Sequence, residues 1–267
     1  MSDGPQPRRV ERLDDGREVV VYDTLDGLSR GAMTLAASAL AMAAGGGRRP
    51  VLALAGGSTP RALHERLAEE ADQMPWARTI VVFGDERCVP PGHPASNYRM
   101  ARETLLEHAR VRDATVHRVR GELPPDEAAD DYDRTLRRAI GVAGPDGAPD
   151  PRPAAALDAP LLDVVLLGVG ADGHTASLFA GSAALDERAR WAVAVTAPPH
   201  VPEPRARVTL TLPVIAAARL VLVLVAGAGK RDAVRDALLG GAGAPSPAAR
   251  VRALGRTVWL LDAAAAP

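Results

Sequence analysis

Three kinds of residue are scarce in this sequence: cysteine, lysine and the aromatic side chains. The single cysteine, Cys88, excludes an internal disulfide bond and fits a reducing compartment. Aromatic residues make up only 3% of the 267 residues, so the core must consist mainly of Leu, Val and Ala. Lys230 is the only lysine among 32 basic residues. Arginine in this abundance, with many Ala, Gly and Pro, is typical of a GC-rich genome and says little about function.

Neither the charge nor the hydropathy pattern indicates a nucleic-acid or membrane protein. The formal net charge is −1, which gives no electrostatic footprint for nucleic acid or a lipid surface. The longest strongly apolar stretch, residues 220–228, is far shorter than the roughly 20 residues that span a bilayer. The first residues lack an apolar signal segment. We therefore expect a cytoplasmic protein that binds neither nucleic acid nor membranes.

Apolar runs alternate with helical stretches along most of the chain. Near-continuous Val and Leu runs separated by helices are typical of a parallel sheet covered on both faces. The sequence therefore predicts an α/β fold with one doubly wound, mostly parallel sheet of the Rossmann-like type. Strands are predicted at residues 18–22, 50–55, 79–83, 162–167, 220–225 and 257–261, an edge strand at 206–212, and helices at 25–44, 60–70, 97–108 and 230–239.

Two segments fall outside this alternation. Residues 1–15 are polar, charged and contain proline, which indicates a disordered start. Residues 141–160 are rich in Ala, Pro, Gly and Asp, which is typical of an exposed insertion loop. We therefore expect one α/β domain over residues 16–267, which binds its ligand at the carboxyl ends of the strands.

The first candidate site lies in the segment LALAGGSTP, residues 52–60. A predicted strand runs into Gly56, Gly57, Ser58 and Thr59, and the proline that follows suits the first position of a helix. Glycines let the backbone approach a ligand, and a helix N-terminus offers free N–H groups and a positive dipole end. This arrangement suits a phosphate monoester. The simpler alternative is a strand–turn–helix joint in which the hydroxyl only caps the helix.

A second candidate site lies in the segment VVFGDERCVPPGHPASN. The apolar strand ends in Asp85, Glu86 and Arg87, which could bind a polar, anionic substrate, although charges at strand ends are often merely solvated. Asn97 is well placed to cap the next helix. No nucleophile signature surrounds Cys88, which we interpret as a buried bystander thiol.

The third segment, LLGVGADGHTASLFAG, combines glycines with an acid and a histidine. Gly168, Gly170 and Gly173 formally match the dinucleotide-binding pattern. We reject a dinucleotide site because a histidine follows the third glycine, the predicted helix is short and no ribose-binding acid follows. Asp172 and His174 instead lie two residues apart in a glycine-permissive turn. Histidine is the natural general base at neutral pH, and a nearby carboxylate can orient it. A purely structural histidine at a helix start is the alternative.

The remaining candidates are basic residues. Lys230 opens a predicted helix after a glycine-containing turn, where a lone lysine suits a phosphate clamp. A nucleotide P-loop is excluded because Leu224 and Arg231 replace the required glycine and hydroxyl. Arg207, on the predicted edge strand, is either a phosphate ligand or an exposed strand charge. No Cys/His cluster has metal-ligand spacing, and no Gly-x-Ser-x-Gly elbow occurs.

Four motifs in order resemble the 6-phosphogluconolactonase family, within the glucosamine-6-phosphate isomerase/deaminase-like superfamily. The deaminase branch typically has tyrosine after the Asp-Glu pair, where this chain has Arg87, so the lactonase branch fits better. One departure is Ala180, where lactonases usually have proline. The motifs are GGSTP at residues 56–60, DERCVP at 85–90 with Ser-Asn at 96–97, GVGADGHTASLF at 168–179 and RVTLTLP at 207–213.

The resemblance implies a glucosamine-6-phosphate deaminase-like fold and hydrolysis of 6-phosphoglucono-δ-lactone in the pentose phosphate pathway, without metal or organic cofactor. His174 would deprotonate the attacking water, Asp172 would hold its ring, and Arg87 would stabilise the oxyanion. Substrate and phosphate would bind at Gly56, Gly57, Ser58, Thr59, Asp85, Arg207 and Lys230.

Two alternatives remain open at this stage. One is an amino-sugar-phosphate isomerase/deaminase on the same scaffold, which would release ammonia from glucosamine 6-phosphate. The other is a non-catalytic sugar-phosphate sensor, in which the Asp172–His174 pair would have no task. The oligomeric state is not predicted.

Overall fold

The predicted alternation of strands and helices is present in the structure, a computed structural model that describes residues 6–141, 152, 154–156, 160–240 and 245–267. The strands within those residues are β1 (Arg9–Arg12), β2 (Glu18–Tyr22), β3 (Val51–Leu54), β4 (Ile80–Phe83), β5 (Asp85–Arg87), β6 (Leu162–Gly168), β7 (Ala192–Thr196), β8 (Ala206–Leu210), β9 (Ala218–Val225) and β10 (Arg256–Asp262). The α-helices are α1 (Leu25–Gly45), α2 (Ser58–Glu69), α3 (Asn97–Ala101), α4 (Pro125–Ile140), α5 (Leu212–Ala216) and α6 (Arg231–Leu239).

The main sheet reverses its winding direction in the middle. Among the described residues it has seven strands in the order β1-β2-β10-β9-β6-β3-β4, and all neighbours are parallel except β1 and β2. The chain runs from β3 outward to β4, but from β6 in the opposite direction through β9 to β10. The predicted doubly wound, mostly parallel fold is therefore confirmed. Ligands bind beyond the carboxyl ends of the strands at such a reversal, here between β3 and β6.

Alternate residues of the central strands pack on opposite faces of this sheet. In β9, the even-numbered residues from Leu220 to Leu224 belong to the core under α1 and α2. The odd-numbered residues from Val221 to Val225 belong to the core that includes α4 and α6. Because both faces are covered, the strand is apolar throughout rather than alternating.

A second sheet carries two of the predicted site arginines. Strand β8 is not an edge strand of the main sheet, as residues 206–212 were predicted to be, but the centre of an antiparallel sheet β5-β8-β7. Strand β5 leaves the main sheet at Gly84, whose carbonyl accepts a hydrogen bond from the backbone N–H of Leu210 at 2.8 Å. In the resulting register, Arg87 lies opposite Arg207 and Asp85 lies opposite Thr209. The sequence did not reveal this second sheet because β5, the partner of β8, begins one residue after β4 ends and resembles the end of the same strand.

The prediction of a disordered start is wrong for residues 9–12. They form β1, which pairs antiparallel with β2. The hairpin turn contains Gly16 at φ 84°, a conformation that glycine adopts without strain. All four side chains of β1 are exposed, so the strand has no apolar pattern to reveal it. Residues 1–5 lie outside the described residues.

Two further predictions need comment. Most of the predicted insertion loop at 141–160 lies outside the described residues. Within it, Ala154–Ala156 forms a 3-10 turn in which Ala154 is buried and Ala156 is exposed, so the prediction of an exposed loop is wrong for Ala154. The predicted helix at 97–108 is α3 followed by a π-helical segment, Arg102–Leu106. No helix of the described residues is long and apolar enough to cross a membrane.

Candidate active site

A cavity of about 200 Å³ opens where the sheet winding reverses. Its walls come from the turns after β3, β6 and β9 and from the adjoining ends of β5 and β8. Every predicted site residue except Asp172 lines this cavity, and Asp172 contacts a residue that does. The predicted lining residues are Gly56, Gly57, Ser58, Thr59, Asp85, Arg87, His174, Arg207 and Lys230.

The turn after β3 delivers an uncapped helix N-terminus to the cavity. Gly57 has φ 102°, which an L side chain rarely adopts, and it is the residue that precedes helix α2. No side chain caps this end of the helix, so the N–H groups of Ser58 and Thr59 are available to an anion. Pro60 occupies the third helical position rather than the predicted first. At the third position too, the missing N–H of proline removes no helical hydrogen bond.

Two arginines lie side by side on the wall formed by the small sheet. Arg87 and Arg207 are cross-strand partners, and Arg207 is only 6% exposed. Arg207 Nε donates to the Pro204 carbonyl at 2.9 Å, and Arg87 Nη1 donates to the Ala95 carbonyl at 2.6 Å. Burial, and then the neighbouring Arg87 charge, lower the pKa of Arg207.

This arginine pair has the electrostatics of an anion-binding site. Neither guanidinium forms an ion pair with a carboxylate of the described residues, and the buried Nε of Arg87 has no hydrogen-bond partner there. Like charges directly opposite each other in a sheet are destabilising. Anionic oxygens of a bound substrate would accept hydrogen bonds from these arginines and relieve this repulsion.

The two acids of β5 have different surroundings. Glu86 is buried and accepts four hydrogen bonds, two of them from the first N–H groups of α3. Burial raises its pKa, whereas these hydrogen bonds act in the opposite direction. Glu86 is therefore a structural acid at a helix start. Asp85 lines the cavity, and its carboxylate accepts from Ser177 Oγ at 2.7 Å and Asn97 Nδ2 at 3.1 Å.

Asn97 does not cap helix α3, contrary to the prediction. Ser96 is the capping residue, and its hydroxyl accepts from the N–H of Arg99 at 3.1 Å. The Asn97 side chain instead turns towards Asp85 and lies where a Cβ at Gly56 would have to be. The glycine at position 56 is thus required by the close packing of Asn97.

His174 and Asp172 form a hydrogen-bonded pair in the turn after β6. His174 Nδ1 lies 2.5 Å from Asp172 Oδ1, and the His174 ring packs against the Phe179 ring at 4.6 Å between centroids. An ionised carboxylate only accepts, so Nδ1 carries the proton and Nε2 remains free as an acceptor. Burial acts to raise the pKa of Asp172, but hydrogen bonds from His174 and His200 outweigh it and hold that pKa well below its usual range.

The turn that carries this pair is not followed by the predicted short helix. Gly173 has φ 80° and Ala176 has φ 47°, and the N–H of Gly170 bonds back to the His174 carbonyl at 2.8 Å. A Cβ at Gly170 would overlap the His174 ring and the Asp172 carboxylate. The glycine pattern that resembles a dinucleotide motif therefore makes room for the histidine–aspartate pair.

Two predicted residues remain to be located. Lys230 ends a 3-10 turn after β9, lines the cavity and has no side-chain hydrogen bond or ion pair in the described residues. Cys88 is half-buried, and burial raises the pKa of its thiol to about 11, which disfavours a thiolate.

The sequence analysis missed two residues, each of which contacts one of the predicted site acids, Asp85 or Asp172. Ser177 is buried and bonds to Asp85, which links the histidine turn to the arginine sheet. His200 Nε2 lies 2.8 Å from Asp172 Oδ2. No signal marks His200 in the sequence, since it is 28 residues from Asp172 in a proline-rich connection. Among the described residues, no group of three His, Cys, Asp or Glu side chains is arranged to hold a metal ion.

The fold and the cavity together define an α/β protein with a positively charged crevice at the switch point of a doubly wound sheet. The sequence family described as glucosamine-6-phosphate isomerases/6-phosphogluconolactonase matches residues 23–259. The chain belongs to this family.

Curated relatives and solved structures agree with this assignment. The chain is 39% identical to a 6-phosphogluconolactonase of Nostoc over 81% of its length and 83% of the relative's. It is 33% identical to chloroplastic 6-phosphogluconolactonase 3 of Arabidopsis thaliana, with 78% of this chain but only 62% of that protein covered. The structure of 6-phosphogluconolactonase from Leishmania guyanensis is similar with a TM-score of 0.79 and 30% identity, over 92% of this chain and 96% of that one.

Proposed function

We propose that this protein hydrolyses 6-phosphogluconolactone to 6-phosphogluconate, with His174 as the general base. The substrate class comes from the relatives, which are named 6-phosphogluconolactonases. The observation that carries the mechanism is the bond between His174 Nδ1 and Asp172, which leaves Nε2 free at a cavity lined by cationic groups. A cytoplasmic location stays a prediction from the sequence.

The cationic groups account for the phosphate end of the substrate. The N-terminus of α2 offers the N–H groups and hydroxyls of Ser58 and Thr59, and Lys230 and Arg207 supply positive charge from other walls of the cavity. A phosphate monoester carries up to two negative charges and several acceptor oxygens, which suits this donor set. Because the phosphate is remote from the lactone carbonyl, its binding energy positions that carbonyl for attack.

The hydrolysis then needs one base and one oxyanion donor. Neutral His174 takes a proton from water, and the resulting hydroxide forms a bond to the lactone carbonyl carbon. Asp172 stabilises the imidazolium, and Arg87, which lines the cavity, stabilises the negative oxygen of the tetrahedral intermediate. The intermediate collapses with cleavage of the bond to the ring oxygen, which receives the proton from His174. Water is thus consumed and the carboxylic acid is formed.

Asp85 takes the third part of the substrate, its hydroxyl groups. A carboxylate repels phosphate, so direct contact with that group is unfavourable. Each carboxylate oxygen of Asp85 accepts one strong side-chain hydrogen bond and keeps a further lone pair towards the cavity. We therefore assign Asp85 to sugar hydroxyls rather than to the phosphate.

The test is the rate of 6-phosphogluconolactone loss, minus spontaneous hydrolysis, for the wild type and for His174→Ala. We expect a large excess rate that falls by about 10²-fold or more in the variant, since general-base catalysis contributes ~10²–10⁴-fold. His108→Ala, at an exposed histidine outside the cavity, is the matched control. A His174 variant with near-normal turnover would contradict the base assignment.

The family name also covers isomerases of glucosamine 6-phosphate, so the same preparation is tested for ammonia release from that sugar. Ammonia release without lactone hydrolysis would identify the deaminase reaction instead. Binding of either sugar phosphate with no turnover would indicate a sensor.

A further inference from the structure

Asp172 lies between two imidazoles rather than one. Its Oδ1 is 2.5 Å from His174 Nδ1, and its Oδ2 is 2.8 Å from His200 Nε2. Since an ionised carboxylate has no proton to give, both histidines donate to it. His174 lines the cavity, whereas His200 does not and its side chain is 61% exposed. The two histidines therefore share one acid but differ in access to substrate and to solvent.

A restrained connection brings His200 to Asp172. The residues between β7 and β8 include four prolines, at positions 198, 199, 202 and 204, whose rings fix the backbone φ angle. The connection is closed by a hydrogen bond from the N–H of Ala197 to the Arg205 carbonyl at 2.9 Å, and a second one from Val201 to Pro198 at 2.9 Å forms a turn at His200. A loop restrained in this way loses little conformational entropy when His200 bonds to Asp172.

The second hydrogen bond has a geometric consequence for the base. His174 alone holds only Oδ1 of Asp172, through its ring Nδ1 and its backbone N–H, and the terminal torsion of Asp is broad. With both oxygens occupied from different segments, the carboxylate plane is fixed, and so is the ring that donates to it. His174 Nε2 is then held in the direction of the cavity.

We propose that His200 is a positioning residue that fixes the Asp172 carboxylate behind the base. The proposal rests on the proposed function, in which His174 acts as the base. Other charged groups lie near Asp172, His174 and His200, but they are the same in the wild type and in the His200 variants compared below. They are Arg87, Arg207 and Lys230 on the cavity wall, the paired Glu203 and Arg205 on the connection itself, and Arg250, which is turned towards Asp186 on the segment that packs against Gly173.

The test compares two substitutions at the same position. His200→Ala removes the donor to Asp172, whereas His200→Gln keeps an amide N–H donor near the position of Nε2. For His200→Ala we expect kcat to fall about tenfold at its plateau with KM changed less than about twofold, the size of one lost hydrogen bond to a charged group. His200→Gln should recover most of that loss.

His108→Gln, outside the cavity, is the control for loss of a histidine and should leave kcat and KM unchanged. Circular dichroism checks that each variant is folded. A wild-type kcat in His200→Ala, or a His200→Gln variant that recovers none of the loss, would overturn the proposal.

A second readout keeps this test independent of the reaction. The ring resonances of His174, assigned by their absence in His174→Ala, are compared by NMR at one pH in the wild type and both His200 variants. They should change position in His200→Ala and return towards the wild-type position in His200→Gln, and unchanged resonances in His200→Ala would overturn the proposal. If lactone hydrolysis were absent while this change was present, the proposed function would fail and the positioning role of His200 would stand.

Discussion

The strongest stability prediction concerns His64, a histidine that the site does not use. It lies on the buried face of α2 with no exposed surface, and neither ring nitrogen has a hydrogen-bond partner in the described residues. Burial, with a smaller contribution from the Arg61 charge, lowers the pKa of His64 to about 4. The folded protein therefore keeps His64 neutral at a pH where the unfolded chain binds a proton.

This difference sets the sign and the size of a pH effect on the free energy of unfolding. The unfolded side chain titrates near pH 6.5, so the stabilisation is fully present above that pH and is lost as the pH falls towards 4. Each pH unit in this interval costs about 1.4 kcal/mol. Between pH 7.5 and pH 5, His64 alone should therefore destabilise the protein by about 2 kcal/mol.

Two substitutions isolate that amount, because other titrating groups are common to all the proteins compared. His64→Leu removes the buried ring nitrogens, whereas His64→Asn keeps a polar group but also cannot titrate. Urea unfolding followed by tryptophan fluorescence gives the free energy of unfolding at both pH values. For each variant, the free energy of unfolding minus that of the wild type should be about 2 kcal/mol more positive at pH 5 than at pH 7.5. The two variants will differ in this quantity at pH 7.5, but not in its change with pH. An equal difference from wild type at the two pH values would refute the reasoning, and His108→Asn controls for loss of an exposed histidine.

The other predictions concern the cationic groups of the cavity and are measured as kcat and KM for lactone hydrolysis. Lys230→Ala should raise KM about tenfold and change kcat little, with Arg231→Ala, whose side chain is turned to the Ala264 carbonyl, as the control. Arg207→Gln should likewise raise KM, whereas Arg87→Gln should lower kcat by ~10²–10³-fold as an oxyanion donor. If Arg87→Gln changed only KM, Arg87 would belong to the phosphate site.

The main sheet could be predicted because strands buried on both faces appear in the sequence as continuous apolar runs. Runs such as β6 and β9 are apolar at nearly every position, and a glycine-containing turn ends each of them. Strands β1, β5 and β7 are not marked by such continuous apolar runs. Strand β1 has exposed side chains, and β5 has only three residues, all of them charged. Their pairing depends on tertiary contacts that local sequence does not contain.

The candidate site was predictable to the extent that its residues follow strands. Glycines and polar residues after β3, β4, β6 and β9 must meet at one edge of a parallel sheet, which is why Ser58, Arg87, His174 and Lys230 line one cavity. The packing of Asn97 against Gly56 and the contact of a second histidine with Asp172 could not be predicted. Both depend on how separate loops fold against each other, and single residues in loops carry no periodic signal.

The arrangement of the buried hydrogen bonds explains how the histidine turn and the two arginines keep their spacing. Ser177 follows His174 in the same turn, and its hydroxyl donates to Asp85 at 2.7 Å, while its N–H donates to Thr209 Oγ1 at 3.2 Å. Asp85 and Thr209 are cross-strand partners in the same pair of strands that carries the arginines, two residues away on each strand. The histidine turn is therefore fixed directly to the strands that present the cations. In the proposed reaction the substrate contacts both His174 and the arginines, so this buried link would position the proposed base relative to the proposed anion ligands.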